Sequence, residues 1–257
     1  METIIETQSL TKQYSKQSQD KPALESIDLK IEKGQLYGII GPDGAGKTTL
    51  IRILSSVIEP TAGSVQVSGI NLKDQVEQIR PRLGYMPQAF SLYPDLTVME
   101  NLRFFSNIND VPPQKQNSRI EELLKFTGLS DFTTRRGRNL SGGMQKKLAL
   151  ACALVHEPEI LLLDEPTTGV DPISRRQLWQ LLAKVVQEGK TVLVSTPYMD
   201  EAERCNRVSM MDQGKILVSG APQHLAQEMP FRIIEVKAKP RKLLREIIYQ
   251  VEEILGW

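Results

Sequence analysis

Between residues 36 and 57 the chain passes from an apolar run, Leu36 to Ile40, through Gly41-Pro42-Asp43-Gly44-Ala45-Gly46-Lys47-Thr48-Thr49, into a segment with helical spacing at Leu50, Ile51, Ile53, Leu54 and Val57. The order is strand, glycine-rich turn, helix. Gly41 and Gly46 enclose four residues and are followed by Lys47 and Thr48, which is the phosphate-binding loop pattern in the context that pattern requires. Gly41, Gly44 and Gly46 can adopt backbone conformations that a Cβ resists, so consecutive N–H groups can turn inward around a polyphosphate. The helix starting near Lys47 adds its positive end to the same anion. Lys47 is expected to reach the terminal phosphates, and the Thr48 hydroxyl to be a ligand of Mg²⁺. Asp43 fits least well, because a carboxylate beside phosphate has to point away or be paired.

The 257 residues suffice for one large domain, or one domain plus an appendage. A hydrophobic share of 40% and a charged share of 25% place the chain in the soluble globular class. A net charge of +1 gives no reason to expect binding to nucleic acid, and the basic group Arg135, Arg136 and Arg138 reads most simply as a solvated loop, with a phosphate-facing role just before the second glycine motif as the less favoured alternative. Cys152 and Cys205 form no CxxC pair, and His156 and His224 have no metal-ligand spacing, so reduced thiols and no all-protein metal site are expected. No apolar run approaches the roughly 18 residues of a membrane span. If the protein works at a membrane, something other than these residues supplies the spans.

Residues 3 to 13 and 24 to 31 alternate apolar and polar side chains as exposed strands do, joined by a polar connection over 15 to 21. Tyr14 ends the first strand, where its ring could stack on a purine base or pack on its neighbours. Short strands are expected at 64 to 67 and 83 to 86, the latter running into Pro87-Gln88. Residues 97 to 109 and 116 to 127 then have helical spacing with no strand between them, and Thr97 with Glu100 fits a capping box. A helical insertion into an α/β domain, over about 89 to 158, accounts for this change of texture.

The insertion closes on Leu140-Ser141-Gly142-Gly143-Met144-Gln145 and a helix to about Leu154. Ser141 is a candidate N-cap, and two glycines at a helix start admit another backbone or an anion. Ile160 to Leu163 is wholly apolar, as in a strand buried on both faces, and ends in Asp164-Glu165. Carboxylates at that end of a strand sit where open α/β sheets bind ligands. Asp164 is then expected to hold Mg²⁺ and Glu165 to polarise an attacking water. Asp171 and Pro172 read as N-cap and first residue of a helix to about Gln187. A buried strand follows at 191 to 195, a short helix opening on Asp200, Glu201 and Glu203, strands at 207 to 211 and 215 to 219, and a last small helix.

Phe231 to Val236 reads as a strand and Arg241 to Leu255 as an amphipathic helix. One strand and one helix cannot build a core. The expected division is therefore a domain over 1–228 and, over 229–257, an incomplete appendage in a piece of a longer protein.

These motifs, in this order over about residues 3 to 228, resemble the nucleotide-binding domain of ATP-binding cassette (ABC) proteins. The resemblance rests on Tyr14, the Walker A loop at 41 to 49, Gln88 of the Q-loop, the signature at 140 to 144, Walker B at 160 to 165 and the D-loop around Asp171. It implies a P-loop ATPase fold with an antiparallel β subdomain, a parallel-sheet core and an inserted helical subdomain. It further implies two cassettes facing head to tail with ATP between them. Walker A of one cassette and Ser141, Gly142 and Gly143 of the other would hold each ATP, with Tyr14 on the adenine and Asp171 of the D-loop also among the nucleotide-binding residues. Thr48, Gln88 and Asp164 would be the Mg²⁺ ligands, and Glu165, Gln88 and Lys47 the catalytic set.

Leu92 to Asn101, Thr168 to Pro172 and Tyr198 to Ala202 are similar to ABC-2 type exporters of the drug-efflux kind, and to the first ATPase half of YbhF-like tandem subunits. Membrane-spanning permease subunits are then the implied partners, with the ATPase on the cytoplasmic face of the membrane. Two positions depart from the family pattern. Met144 stands where the signature has Gln, a change found in this subgroup. Pro197 stands where the family has a His that contacts the γ-phosphate, and proline has neither a side-chain donor nor an N–H. The implication is an asymmetric pair, in which the site on this chain's Walker motifs turns over slowly. The alternatives are a regulatory ATP-binding module and an ABC ATPase without a membrane partner.

Overall fold

A computed structural model describes residues 2–14, 21–89 and 92–228. The chain divides into two compact units, Met1–Leu225 and Ala226–Trp257. The strand and helix expected over 231–255 lie outside the described residues, as does most of the polar connection over 15–21.

The strands are β1 (Thr3–Lys12), β2 (Leu24–Glu32), β3 (Leu36–Ile40), β4 (Ala62–Val67), β5 (Ile70–Asn71), β6 (Leu83–Met86), β7 (Ile160–Asp164), β8 (Thr191–Thr196), β9 (Arg207–Asp212) and β10 (Lys215–Gly220). The helices are α1 (Lys47–Leu54), α2 (Val76–Ile79), α3 (Val98–Ile108), α4 (Pro113–Thr127), α5 (Gly142–Leu154), α6 (Pro172–Gln187) and α7 (Pro222–Glu228). They form two sheets. One is four-stranded and antiparallel, in the order β2-β1-β4-β5. The other is six-stranded, in the order β10-β9-β3-β8-β7-β6, parallel except for β10 at its edge.

Alternation along β7 explains how the layers are held. Ile160 and Leu162 face a core shared with α1 and the antiparallel sheet, while Leu161 and Leu163 face one shared with α3, α4, α5 and α6. All four are fully buried, each stabilising the fold by about 2–3 kcal/mol relative to an exposed side chain. The apolar run therefore follows from burial of both faces, as parallel central strands require.

The helical insertion, α3 to α5, connects the parallel neighbours β6 and β7. Its entry is fixed by the capping box: Thr97 Oγ1 accepts from the Glu100 N–H at 3.2 Å, and Glu100 Oε2 from the Thr97 N–H at 2.8 Å. Two expectations need correction. The helix after the phosphate loop stops at Leu54, and Val57 is 57% exposed in the following turn. The second insertion helix starts at Pro113 rather than 116, because proline at a first helical position has no N–H to leave unpaired and a φ already suited to the helix.

Candidate nucleotide site

The loop after β3 folds as its glycines dictate, for two different reasons. Gly46, the N-cap of α1, has φ +103°, a region costly for any residue with a Cβ. Gly41 needs space instead: a Cβ there would lie 2.1 Å from the Met211 carbonyl oxygen. The turn thus delivers Lys47 and Thr48 to the first turn of α1. Asp43 is exposed, so its carboxylate is hydrated rather than buried in the loop.

Lys47 is 3% exposed. Its ammonium donates to the carbonyls of Gly41 at 2.9 Å and Pro42 at 3.0 Å, and lies 3.4 Å from Glu165 Oε1. Glu165 Oε2 accepts from Gln88 Nε2 at 2.8 Å and from Thr168 Oγ1 at 3.2 Å. Glu165 also carries φ +48°, a left-handed conformation unusual for a long side chain at a strand end. Its N–H donates to Ser195 Oγ at 3.0 Å, so a specific partner supports the bend. Strain held by surrounding contacts is characteristic of functional positions.

Asp164 is 1% exposed. Its Oδ1 accepts from Ser195 Oγ at 2.7 Å and Thr48 Oγ1 at 3.1 Å, which joins the strand end to the phosphate loop. Its Oδ2 is buried with no hydrogen-bond partner. A buried carboxylate oxygen left open beside a hydroxyl is a donor set suited to a hard divalent cation. Among the described residues no cluster of His, Cys, Asp and Glu forms a metal site on protein ligands alone.

Tyr14 stands at the rim, 62% exposed, with its hydroxyl 3.3 Å from Thr49 Oγ1. Its ring is thereby placed beside the loop rather than packed into the core. Ser141 caps α5 by accepting the Met144 N–H at 3.3 Å. The two glycines behind it differ. A Cβ on Gly143 would lie 2.3 Å from Ser174 Oγ, whereas on Gly142 the nearest atom would be 3.6 Å away. Gly143 is therefore required by the approach of α5 to α6, and Gly142 leaves backbone open at the surface. Asp171 caps α6, accepting from the N–H groups of Ile173 at 3.1 Å and Ser174 at 3.0 Å. Hydrogen bonds from Ser174 lower the Asp171 carboxyl below its usual range.

Lys146, in α5, donates to the Gln88 carbonyl at 3.1 Å, linking the signature helix to the residue that touches Glu165. Burial pushes its ammonium pKa down, against the pull of Asp164 and Glu165. Sequence reasoning did not find Lys146, Ser195 or Thr168. Ser195 was discoverable from sheet order, since it pairs in register with Asp164. Pro197 follows Thr196 at the end of β8, and the next free N–H, that of Tyr198, is taken by Thr196 Oγ1 at 3.1 Å.

Fold and site together define a P-loop nucleotide-binding domain of the cassette type. The chain belongs to the ABC transporter family, whose model matches residues 24–168. It is 46% identical over 231 residues to the "Probable multidrug ABC transporter ATP-binding protein YbhF" of Escherichia coli K12, covering 90% of this chain and 40% of that one. The chain thus spans less than half the length of this relative. It is 35% identical over 255 residues to the "Nod factor export ATP-binding protein I" of Cupriavidus metallidurans, covering 98% of this chain and 83% of the relative. Among solved structures it resembles the ATP-binding cassette MJ0796, a dimer in a post-hydrolysis state bound to ADP and Pi. The TM-score is 0.78 at 30% identity, over 85% of this chain and 99% of that one.

Proposed function

We propose that this chain binds and hydrolyses ATP to power an ABC-2 type exporter of drugs or other xenobiotics, working on the cytoplasmic face of a membrane as one of two facing cassettes. The observation that carries the reading is the joint placement of Lys47, Thr48, Gln88, Asp164 and Glu165. The loop N–H groups and Lys47 bind and orient the phosphates. Glu165, turned inward by its backbone and held by Gln88 and Thr168, is the base that takes a proton from water. Thr48, Gln88 and Asp164 would hold Mg²⁺, which offsets charge developing on the transferred phosphate.

Export as the work done is supported by the names of the relatives, both of which describe export or multidrug transport. A second cassette is supported by the dimeric neighbour and by the open backbone at Gly142. For the permease, a cavity of about 480 Å³ lies between the turn after α1 and the helical insertion, edged by the exposed apolar side chains Val57 and Ile108. The reading includes a membrane-spanning partner; among the described residues no helix is long and apolar enough to cross a bilayer.

Pro197 favours a second element of the reading, in which this chain's own site hydrolyses slowly and its signature completes a faster site on the partner. Steady-state hydrolysis by the purified chain, with ATP binding measured alongside and Glu165→Gln as background, tests both. Binding without appreciable turnover fits the slow site, and robust Glu165-dependent turnover refutes it. Failure to bind ATP at all refutes the nucleotide reading.

A further inference from the structure

Glu201 takes no part in the chemistry above, yet it is 1% exposed and its carboxylate collects four donors. Two come from α6: Arg175 Nε at 2.6 Å and Trp179 Nε1 at 3.0 Å, both to Oε1. Thr196 Oγ1, immediately before Pro197, donates to Oε2 at 2.6 Å. Thr167 Oγ1, two residues beyond Glu165, donates to the same oxygen at 3.1 Å. The guanidinium of Arg175 also lies over the Tyr198 ring, 4.2 Å from its centroid, so both sides of Pro197 are tied to the same hub.

Burial alone would raise the Glu201 carboxyl, and the donors from Thr196, Arg175, Trp179 and Thr167 outweigh it and leave the pKa below its ordinary value. A buried ion pair is an inefficient source of stability, since well-packed apolar groups often serve as well. What this one supplies is direction. Besides the Glu165–Ser195 hydrogen bond and the chain continuity of the loop with α6, one carboxylate now holds the loop after Glu165, the end of β8 and the first turns of α6 at fixed hydrogen-bond distances.

We infer that Glu201 is a positioning residue that joins these three segments into one unit, so that occupancy of the phosphate site is relayed to α6 and its capping residue Asp171. The inference rests on the cassette reading above and extends it to a route inside one chain. The route therefore runs from the phosphate site to the start of α6, where Asp171 caps the helix.

Trp179 is a reporter built into the hub, because its indole N–H is one of the four donors. The chain has two tryptophans, and Trp257→Phe leaves Trp179 as the sole indole. In that background we expect Mg-ATP to shift the Trp179 emission. Adding Glu201→Gln should abolish the shift while changing the ATP dissociation constant by no more than about twofold, equivalent to about 0.4 kcal/mol. Thr167→Val removes a single donor and, should Glu201→Gln not fold, is expected to weaken the shift in the same way. A shift that survives both substitutions overturns the inference. So does a parallel loss of ATP affinity and emission change, which is what a merely structural role produces. Absence of ATP binding by the unsubstituted chain overturns the cassette reading itself.

Discussion

Lys47 and Glu165 form an ion pair whose side chains are 3% and 5% exposed, with Nζ 3.4 Å from Oε1. Both charges have left water, so each depends on the other and on nearby dipoles. A polyphosphate entering the loop competes with Glu165 for the same ammonium.

Glu165→Gln removes that competition together with the proposed base. ATP binding is expected to strengthen by up to about tenfold, corresponding to about 1.4 kcal/mol. Hydrolysis is expected to fall by at least about a hundredfold, the scale of a lost general base. Equilibrium titration and phosphate release measure the two separately. An unchanged rate removes Glu165 from the mechanism.

The open Oδ2 of Asp164 makes a second prediction. Chelating divalent cations, or substituting Asp164→Asn, should abolish Mg²⁺-dependent strengthening of ATP binding while the metal-free affinity changes little. Titrations with and without EDTA decide it, and an Asp164→Asn chain that still responds to Mg²⁺ refutes the assignment.

Adjacent glycines should behave differently. Gly143→Ala forces a methyl group against Ser174 and is expected to destabilise the fold by about 1–3 kcal/mol, the usual range for overpacking. Gly142→Ala has room within the chain, so its unfolding midpoint should stay near that of the unsubstituted protein. Any defect it shows should appear only when two cassettes close. Urea unfolding of both variants is the measurement.

Pro197→His should raise turnover by about tenfold or more, since one well-placed donor to a developing charge is commonly worth that much or more. The gain should vanish when Glu165→Gln is added. Unchanged turnover in the single variant would mean that the slow-site reading is wrong.

Acid should find a weak point at His156. Burial depresses its pKa below the ordinary 6.5, the Leu83 carbonyl opposes this, and the charges of Lys190 and Arg119 add to it. The folded chain therefore resists a proton that the unfolded chain accepts. The stabilisation is complete above about pH 6.5 and is lost as pH falls through that value toward the depressed one, by at most about 1.4 kcal/mol per pH unit. Thermal unfolding between pH 7.5 and 5 should show a slope that His156→Gln reduces, where these limits bracket the ordinary histidine range.

The phosphate loop, the buried strand with its terminal carboxylates and the caps at Thr97, Ser141 and Asp171 were legible because each is written in contiguous residues. Local rules act over three or four positions, and the sequence displays them directly. Ser195 and Lys146 escaped because their partners, Asp164 and Gln88, lie 31 and 58 residues away. Glu201 is harder still. It stands among Asp200 and Glu203 with no local mark distinguishing the buried carboxylate from the exposed one, and only packing selects it. Val57 misled for the opposite reason, since it continues a helical spacing that the chain abandons after Leu54.

The pairing of Asp164 with Ser195 across β7 and β8 has one more consequence. A slip of one residue in that ladder would set Val194 or Thr196 opposite Asp164 and turn every side chain of β8 to the other face. Such a slip would part Asp164 from the Ser195 hydroxyl that holds it. On the proposed function, an error of folding then removes the nucleotide site as a whole instead of leaving an uncoupled ATPase.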